Sequence, residues 1–299
     1  MDIYLPKDRD ENTKTVVMVH GGGWVMGYKP NEKVTTFSGR YGWDILNPLL
    51  DKGYAIVVMK YRTACYNTVP SNFGNDTEFY QNRMMEDIDL VIDHIKLKSQ
   101  DYNIGDNHFQ LIGESGGGHI VMTYGIRQNS DADLKSVVSM FGPSDLDTQD
   151  FKTIINDVPL INVPPPNYFL KKANNCVSVT NQQVKVLFSL KSFADHDVLH
   201  INQSNSYLEA LNPSNPNNIN RNIPLYITHG TEDLLVPETQ AEIMFNAMQA
   251  KYNSTTCPAT DFACQLKMDL FANCGHGWTN NNCNKTVVMS NIVSWIDAH

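Results

Sequence analysis

The sequence predicts an α/β fold in which a mostly parallel central sheet carries helices on both faces. Short β-rich apolar runs alternate along the chain with segments of helical periodicity, as in proteins built from parallel strands and crossover helices. Several of these runs are continuously apolar, which is typical of strands covered on both faces. With 299 residues, of which 41% are hydrophobic, the chain can bury a large core. A chain of this size can form one large or two smaller domains. With the fold above, we predict a single domain over residues 1–299.

The predicted strands are short runs rich in β-branched and other apolar residues. Six of them are Thr15–His20, Ala55–Tyr61, Phe109–Gly113, Ser136–Phe141, Pro224–Thr228 and Leu266–Phe271. The chain also opens on Asp2–Pro6, which we predict to be a further strand.

Helices are predicted where apolar residues recur at a spacing of three or four. Met84, Ile88, Val91, Ile92 and Ile95 follow this spacing in the first half of the chain. Near the C-terminus the same spacing relates Val288, Ile292, Trp295 and Ile296. The segment Pro237–Lys251 begins with Pro and Glu, residues that helix starts prefer.

The alternation is interrupted between Pro143 and Asn222. This stretch holds three consecutive prolines at 164–166, a helix predicted over Val184–Phe193 and an Asn-rich segment at its end. We predict a lid-like insertion over residues 143–222, with part of it facing the substrate. The alternative is that this insertion is a surface loop that does not face the substrate.

Charge and hydropathy exclude several classes of partner. The formal net charge is −9 and no cluster of Lys or Arg is present, so no nucleic acid or anionic membrane surface is expected. No apolar run approaches the roughly 18 residues that span a bilayer. Residues 1–14 are too charged for a signal peptide, while the early start of the first predicted strand is compatible with removal of a preceding one. We expect a small-molecule or carbohydrate partner; the sequence leaves the oligomeric state open.

The chain has six cysteines: Cys65, Cys176, Cys257, Cys264, Cys274 and Cys283. The last four of them follow residue 250. An even count is compatible with disulfide pairing, although buried free thiols are the alternative. We therefore expect a secreted protein or another oxidising compartment, with the cytoplasm as the second possibility.

The segment Gly113-Glu-Ser-Gly-Gly117 fits the pattern G-x-S-x-G between a predicted strand and an apolar helix beginning near Gly117. So tight a turn strains the central residue and lifts it clear of the sheet, while glycines on either side avoid collisions with neighbouring elements. We predict Ser115 to be a nucleophile. A packing device or a phosphate-binding loop is the alternative for a glycine-rich turn.

A second glycine-rich segment, His20-Gly-Gly-Gly-Trp24, directly follows a predicted core strand. Glycines let backbone N–H groups turn toward a ligand, which is what a developing oxyanion requires. We assign the oxyanion donors to the amides of Gly22, Gly23 and Gly116, and predict a structural role for His20.

Three residues are predicted to contact the substrate: Trp24, Tyr28 and Glu114. The two aromatic side chains could line an acyl or aromatic pocket. Packing within the core is the alternative for both of them.

A serine hydroxyl needs an imidazole to accept its proton and a carboxylate to orient that imidazole. Asp233 follows the strand Pro224–Thr228, and His276 follows the strand Leu266–Phe271 between two glycines. We predict that these two residues act with Ser115. Their order in the chain, Ser then Asp then His, matches the α/β-hydrolase layout.

Rival residues are less suitable for these roles. Glu232 should project to the other side of the turn that holds Asp233, while His119 should lie along the helix after Ser115. His229, before a glycine at a strand end, is predicted to be structural. The group Asp195, His196, Asp197 and His200 lacks the paired spacing of a zinc motif, so no metal is predicted.

Together, His20–Trp24, Gly113–Gly117, His229–Asp233 and Cys274–His276 resemble the α/β-hydrolase esterases of the hormone-sensitive-lipase type and the bacterial carbohydrate acetyl and feruloyl esterases close to them. The resemblance spans nearly the whole chain. It implies an eight-stranded sheet, a triad of Ser115, His276 and Asp233, the oxyanion hole named above, and cleavage of carboxylic esters without a cofactor.

The chain departs from the common pattern of that group in three places. Glu114 stands where many members have Asp, and the N-terminal cap helices are missing, so any lid must come mainly from residues 143–222. An extra loop between Lys251 and Leu266 carries two cysteines, while Cys274 and Cys283 bracket the predicted catalytic loop. If this second pair is joined, it should restrict the motion of His276.

These observations predict a serine carboxylesterase that acts through an acyl-enzyme on short-chain esters or on acetyl and feruloyl esters of carbohydrates. The sequence lacks a long apolar lid segment, which argues against long-chain lipids. An aryl formamide hydrolase similar to kynurenine formamidase is one alternative. A non-catalytic binding protein with a hydrolase fold is the other.

Overall fold

A seven-stranded sheet organises the part of the chain described by the computed structural model, which comprises residues 1–23, 39–62, 78–145, 148, 212–252 and 264–299. The strands are β1 (Asp2–Tyr4), β2 (Thr15–Val19), β3 (Ala55–Met59), β4 (Phe109–Glu114), β5 (Leu134–Met140), β6 (Leu225–Gly230) and β7 (Leu266–Phe271). Each strand overlaps a run that the sequence predicts.

The order of strands across the sheet is β1-β3-β2-β4-β5-β6-β7. Only β1 is antiparallel: it pairs with β3, and all other neighbours in this sheet run parallel. The mostly parallel α/β fold is therefore confirmed. The family resemblance implies eight strands, whereas the described residues form seven.

Five α-helices lie within the described residues: α1 (Gly39–Asp51), α2 (Glu78–Tyr102), α3 (Gly116–Ile126), α4 (Thr239–Tyr252) and α5 (Lys285–Ala298). The apolar periodicity predicts α2, α4 and α5, and the G-x-S-x-G turn predicts α3. The sequence reasoning missed α1. Its residues include Gly39, Gly42 and Pro48, which disfavour helix and mask its apolar stripe.

The sheet separates two hydrophobic cores, because successive side chains of a strand point to opposite faces. On β2, Val17 and Val19 belong to the core shared with α2, α3 and α4. Val16 and Met18 belong to the core shared with α1 and α5. All residues of β2 are buried, which explains the continuous apolar character of the run.

Most of the predicted insertion, residues 143–222, lies outside the described residues, but its two ends are close together. The Ser144 backbone N–H donates to Gln240 Oε1 on α4 at 2.8 Å. Ser214 Oγ donates to the Ser144 carbonyl oxygen at 2.9 Å, and Asn212 Nδ2 donates to Asp145 Oδ1 at 2.7 Å. The insertion thus leaves and rejoins the domain at one place beside α4.

Among the described residues, none of the helices has the length and apolar character needed to cross a membrane.

Candidate active site

Four loops that follow parallel strands meet at one edge of the sheet. They follow β2, β4, β6 and β7, and they carry Gly22, Ser115, Asp233 and His276 respectively. The carboxyl ends of parallel strands lie at the same edge, so residues far apart in sequence are brought together there. This is the usual place for ligand sites in open α/β sheets.

Ser115 lies at the turn from β4 to α3 with φ 53° and ψ −120°, a conformation that L-residues rarely adopt. Its backbone N–H donates to the Met140 carbonyl oxygen at 2.9 Å, and its carbonyl accepts from the His119 N–H at 3.1 Å. These bonds to β5 and α3 hold the strained turn, and the side chain remains partly exposed. The strained strand-to-helix turn that the sequence predicts is therefore present, while the nucleophilic role of Ser115 stays a prediction.

Glycines around Ser115 are required by close backbone contacts. A Cβ at Gly113 would lie 2.2 Å from the Gly117 carbonyl oxygen, and one at Gly117 would lie 2.3 Å from the Val19 carbonyl oxygen. Real Cβ atoms do not approach backbone oxygens so closely. The two glycines therefore allow β4, α3 and the end of β2 to pack directly against one another.

Ser115, His276 and Asp233 form one hydrogen-bonded chain. His276 Nδ1 lies 2.7 Å from Asp233 Oδ2, and His276 Nε2 lies 3.1 Å from Ser115 Oγ. An ionised carboxylate only accepts hydrogen bonds, so Nδ1 carries the ring proton. Nε2 of the neutral ring is then free to accept the hydroxyl proton of Ser115. The arrangement can therefore generate a nucleophilic oxygen at Ser115.

The carboxylate of Asp233 is buried but has several donors. Oδ1 accepts from the Leu235 and Val236 backbone N–H groups, each at 2.9 Å. Burial opposes ionisation, but His276 and His229 outweigh it and hold the pKa of Asp233 well below its ordinary value. Asp233 is thus ionised at neutral pH and orients His276.

The rival residues near Asp233 have other contacts. Glu232 is exposed and accepts a hydrogen bond from Asn280 Nδ2. His229 Nε2 donates to the Val236 carbonyl oxygen at 2.9 Å and lies 3.4 Å from Asp233 Oδ2. The sequence predicts only a structural role for His229. It does not reveal that the ring of His229 contacts the carboxylate of Asp233.

The predicted oxyanion loop lies against the elbow. A Cβ at Gly21 would come within 3.1 Å of Ser115 Cβ, so the two segments are in contact. Gly22 and Gly23 have φ values of 112° and 55°, which favour glycine, and both are partly exposed. Gly116 is the first residue of α3, where backbone N–H groups lack partners within the helix. Amides of both segments can therefore face an oxyanion at Ser115.

Glu114, His20 and Tyr61 form a buried layer behind this loop. Glu114 is 5% exposed, and its Oε1 accepts from the Gly21 backbone N–H at 3.2 Å. The ring of His20 stacks on Tyr61 with centroids 4.3 Å apart. In the structure Glu114 thus bonds to the loop, whereas its predicted contact with substrate stays a prediction.

Aromatic side chains pack against the ring of His276. The ring of Phe141 meets His276 edge to face at 4.7 Å, and it also contacts Trp278 at 5.1 Å. Phe141 and Trp278 have positive φ values of 43° and 58° although neither is glycine. The sequence predicts Phe141 only as the end of a strand, because nothing in its spacing reveals a contact with a residue so far along the chain.

A disulfide joins Cys274 to Cys283 and encloses His276 within a sequence separation of nine residues. The Cys274 carbonyl also accepts from the Glu232 backbone N–H at 2.9 Å, which ties this segment to the loop of Asp233. Cys264, before β7, is disulfide-bonded as well. The pairing that the sequence raises as a possibility for Cys274 and Cys283 is thus present.

Other predicted residues lie elsewhere. Trp24, Tyr28 and the group at 195–200 fall outside the described residues. His119 is buried one turn along α3 from Ser115. Within the described ranges, no group of three or more His, Cys, Asp or Glu could hold a metal ion.

Comparison with known proteins assigns the fold. A family model described as BD-FAE matches residues 1–248. No match was found among the curated proteins. A solved structure of a truncated carbohydrate esterase from gut microbiota has 16% sequence identity and a TM-score of 0.58, covering 99% of this chain and 90% of its own.

Two further solved structures have the same fold. Carboxyl esterase 2 of the mycorrhizal fungus Tuber melanosporum has 14% identity and a TM-score of 0.61, covering 99% of this chain and 80% of its own. An acetyl ester-xyloside bifunctional hydrolase from Caldicellulosiruptor lactoaceticus has 13% identity and a TM-score of 0.58, covering 99% and 87% respectively. These likenesses confirm the predicted α/β-hydrolase fold.

Replacing both Cys274 and Cys283 with alanine should loosen the segment that holds His276. We expect amide hydrogen exchange within residues 274–283 to accelerate by at least about tenfold, because the segment loses its covalent closure. Hydrogen exchange mass spectrometry of peptides from this segment measures the change. Cys264→Ala is the control, since it removes a disulfide at the other end of β7. Equal exchange in the wild type and the double variant would contradict a tethering role.

Proposed function

The chain belongs to the BD-FAE family, and we propose that it is a serine carboxylesterase that hydrolyses esters through an acyl-enzyme. The observation that carries this proposal is the hydrogen-bonded chain from Ser115 through His276 to Asp233, at 3.1 Å and 2.7 Å. We assign the nucleophile, the general base and the orienting carboxylate to these residues in that order.

In the first half of the reaction, Ser115 Oγ attacks the ester carbonyl carbon while His276 Nε2 takes the hydroxyl proton. The carbonyl oxygen becomes an oxyanion, which the amides of Gly22, Gly23 and Gly116 stabilise. When the tetrahedral intermediate collapses, the bond to the alcohol breaks and His276 gives its proton to the departing oxygen. The acyl group is now esterified to Ser115.

Water repeats the cycle in the second half. His276 removes a proton from water as its oxygen attacks the acyl carbon, and then returns the proton to Ser115 Oγ as the carboxylic acid leaves. Asp233 remains ionised throughout and stabilises the imidazolium form of His276. No bond in this cycle requires a metal or a cofactor.

Short-chain esters and carbohydrate-linked acetyl or feruloyl esters are the substrates that we propose. The family and the solved structures described as a carbohydrate esterase and an acetyl ester-xyloside hydrolase support this class. The net charge of −9 also favours neutral substrates over anionic polymers. The Cys274–Cys283 disulfide supports work in a secreted or other oxidising compartment.

Ser115→Ala should reduce the hydrolysis of p-nitrophenyl acetate by on the order of 10⁶-fold in kcat, because the nucleophile is lost while the fold is kept. A fluorophosphonate probe should label the wild type and not this variant. Ser290→Ala, which changes an exposed serine on α5, is the control for rate and labelling. A non-catalytic binding protein would show neither turnover nor labelling in the wild type.

Asp233→Asn and Glu232→Gln form a matched pair of adjacent substitutions. Asp233→Asn should lower kcat by about 10³- to 10⁴-fold, because an amide cannot hold the ring of His276 in the tautomer that accepts from Ser115. Glu232→Gln should change kcat by less than about threefold, because Glu232 faces Asn280. Steady-state kinetics with p-nitrophenyl acetate measures both. The opposite ranking would move the carboxylate role to Glu232.

A panel of substrates tests the specificity. We expect kcat/KM to fall by at least about tenfold from p-nitrophenyl acetate to the decanoate, because no long apolar lid segment is available to cover a fatty chain. Acetylated xylan and methyl ferulate should also be hydrolysed, as judged by release of acetate and ferulate. An aryl formamide, assayed beside them, should react more slowly. Preferential cleavage of the formamide would instead identify a formamidase.

A further inference from the structure

A buried carboxyl group lies directly beside the proposed nucleophile but makes no contact with its hydroxyl in the structure. Glu114 is the last residue of β4, and its carboxyl oxygen Oε1 accepts from the Gly21 backbone N–H at 3.2 Å. The two residues are 93 positions apart in the sequence. This bond therefore joins the nucleophile strand to the loop that carries the proposed oxyanion donors.

Both polar backbone groups of Gly21 form hydrogen bonds. While its N–H donates to Glu114, its carbonyl oxygen lies 2.7 Å from His20 Nδ1, which donates to it. A Cβ at Gly21 would lie 3.0 Å from the Glu114 carbonyl oxygen and 3.4 Å from Glu114 Cγ. The backbone of the loop thus packs closely against Glu114, with little room for a side chain at position 21.

Among the residues that the structure describes, none forms an ion pair with Glu114. Tyr61 interacts electrostatically with Glu114, and the ring of His20 stacks on Tyr61. The cations Lys60 and Arg62 adjoin Tyr61 in the sequence. Burial raises the pKa of Tyr61 and lowers the pKa of His20 to about 4, so both are neutral near pH 7.

We propose that Glu114 is a positioning residue that holds the oxyanion loop through Gly21, and that it does so as a neutral carboxylic acid. This inference rests on the proposed esterase function. It assigns to Glu114 a role in shaping the oxyanion hole in place of the substrate contact that the sequence suggests. The carbonyl oxygen of a neutral acid still accepts the Gly21 N–H.

Neutrality matters because the reaction creates negative charge next to Glu114. An ionised carboxylate beside the oxyanion hole would repel the developing oxyanion and raise the barrier. Burial raises the pKa of Glu114 to about 8, and the Gly21 N–H only partly offsets this. The carboxyl is therefore neutral below about pH 8 and ionised above it. Activity that depends on the neutral form declines as the pH rises through this value.

Two substitutions separate the hydrogen bond from the charge. Glu114→Gln keeps an acceptor for Gly21 and cannot ionise, whereas Glu114→Leu has a similar volume and no acceptor. Wild-type kcat/KM should fall about tenfold from pH 7 to pH 9, whereas for Glu114→Gln the ratio of kcat/KM at pH 7 to that at pH 9 should be close to one. Glu114→Leu should lose about 10- to 100-fold at every pH, because the loop is no longer held in register.

A stability measurement provides a readout independent of catalysis. Because the pKa of Glu114 is higher in the folded than in the unfolded state, ionisation opposes folding, and its cost grows as pH rises from about 5 to above 8. Glu114→Gln should thus gain more in Tm over the wild type at pH 9 than at pH 5.

The inference would be overturned by an active wild type whose alkaline decline persists unchanged in Glu114→Gln, or by a Tm difference that is the same at both pH values. Full activity of Glu114→Leu would overturn the positioning role. A wild type without turnover and without fluorophosphonate labelling would instead refute the esterase function itself, so the two failures are distinguishable.

Discussion

The hydrogen bond between His276 Nδ1 and Asp233 Oδ2 is the interaction on which the site depends. It fixes the tautomer of the ring, and only that tautomer offers Nε2 as an acceptor to Ser115 Oγ. The bond can form only because the loops after β6 and β7 are adjacent at the carboxyl edge of the sheet. A Cβ at Gly230 would lie 2.1 Å from the Cys274 carbonyl oxygen, which shows how closely these loops pack.

Two buried carboxyl groups lie near the proposed nucleophile, Ser115, in contrasting environments. Asp233 receives two backbone N–H groups and faces two histidine rings, so it is ionised in spite of its burial. Glu114 receives a single neutral N–H, and burial dominates its protonation. In the proposed mechanism, negative charge is thus kept on the side where an imidazolium would form and removed from the side where an oxyanion would form. Paired groups with opposite protonation are a common way of dividing roles within one active site.

The sequence predicts all seven strands, with ends within two residues of those observed, because continuous apolar runs are a strong signal for buried parallel strands. It also predicts the three residues of the hydrogen-bonded chain, since their neighbouring glycines and their positions after strands are visible in the chain itself. The spacing of residues in the sequence does not predict which distant segments contact each other in the folded chain. The packing of Phe141 on His276 and the bond from Gly21 to Glu114 join distant segments, and no spacing rule relates them.

His276 needs more support than the other two residues because it follows β7, which pairs with β6 alone at the end of the described sheet. Ser115 follows β4, which has a neighbour on each side. Local contacts stabilise the loop of His276 instead. A disulfide closes the loop, Phe141 packs against the ring of His276, and Trp278 packs against Phe141. Both aromatic residues have positive φ, a strain that the surrounding core must offset. Ser115, Phe141 and Trp278 all have positive φ, so strained backbone positions occur in loops that follow the central strands β4 and β5 as well as in the loop after the edge strand β7.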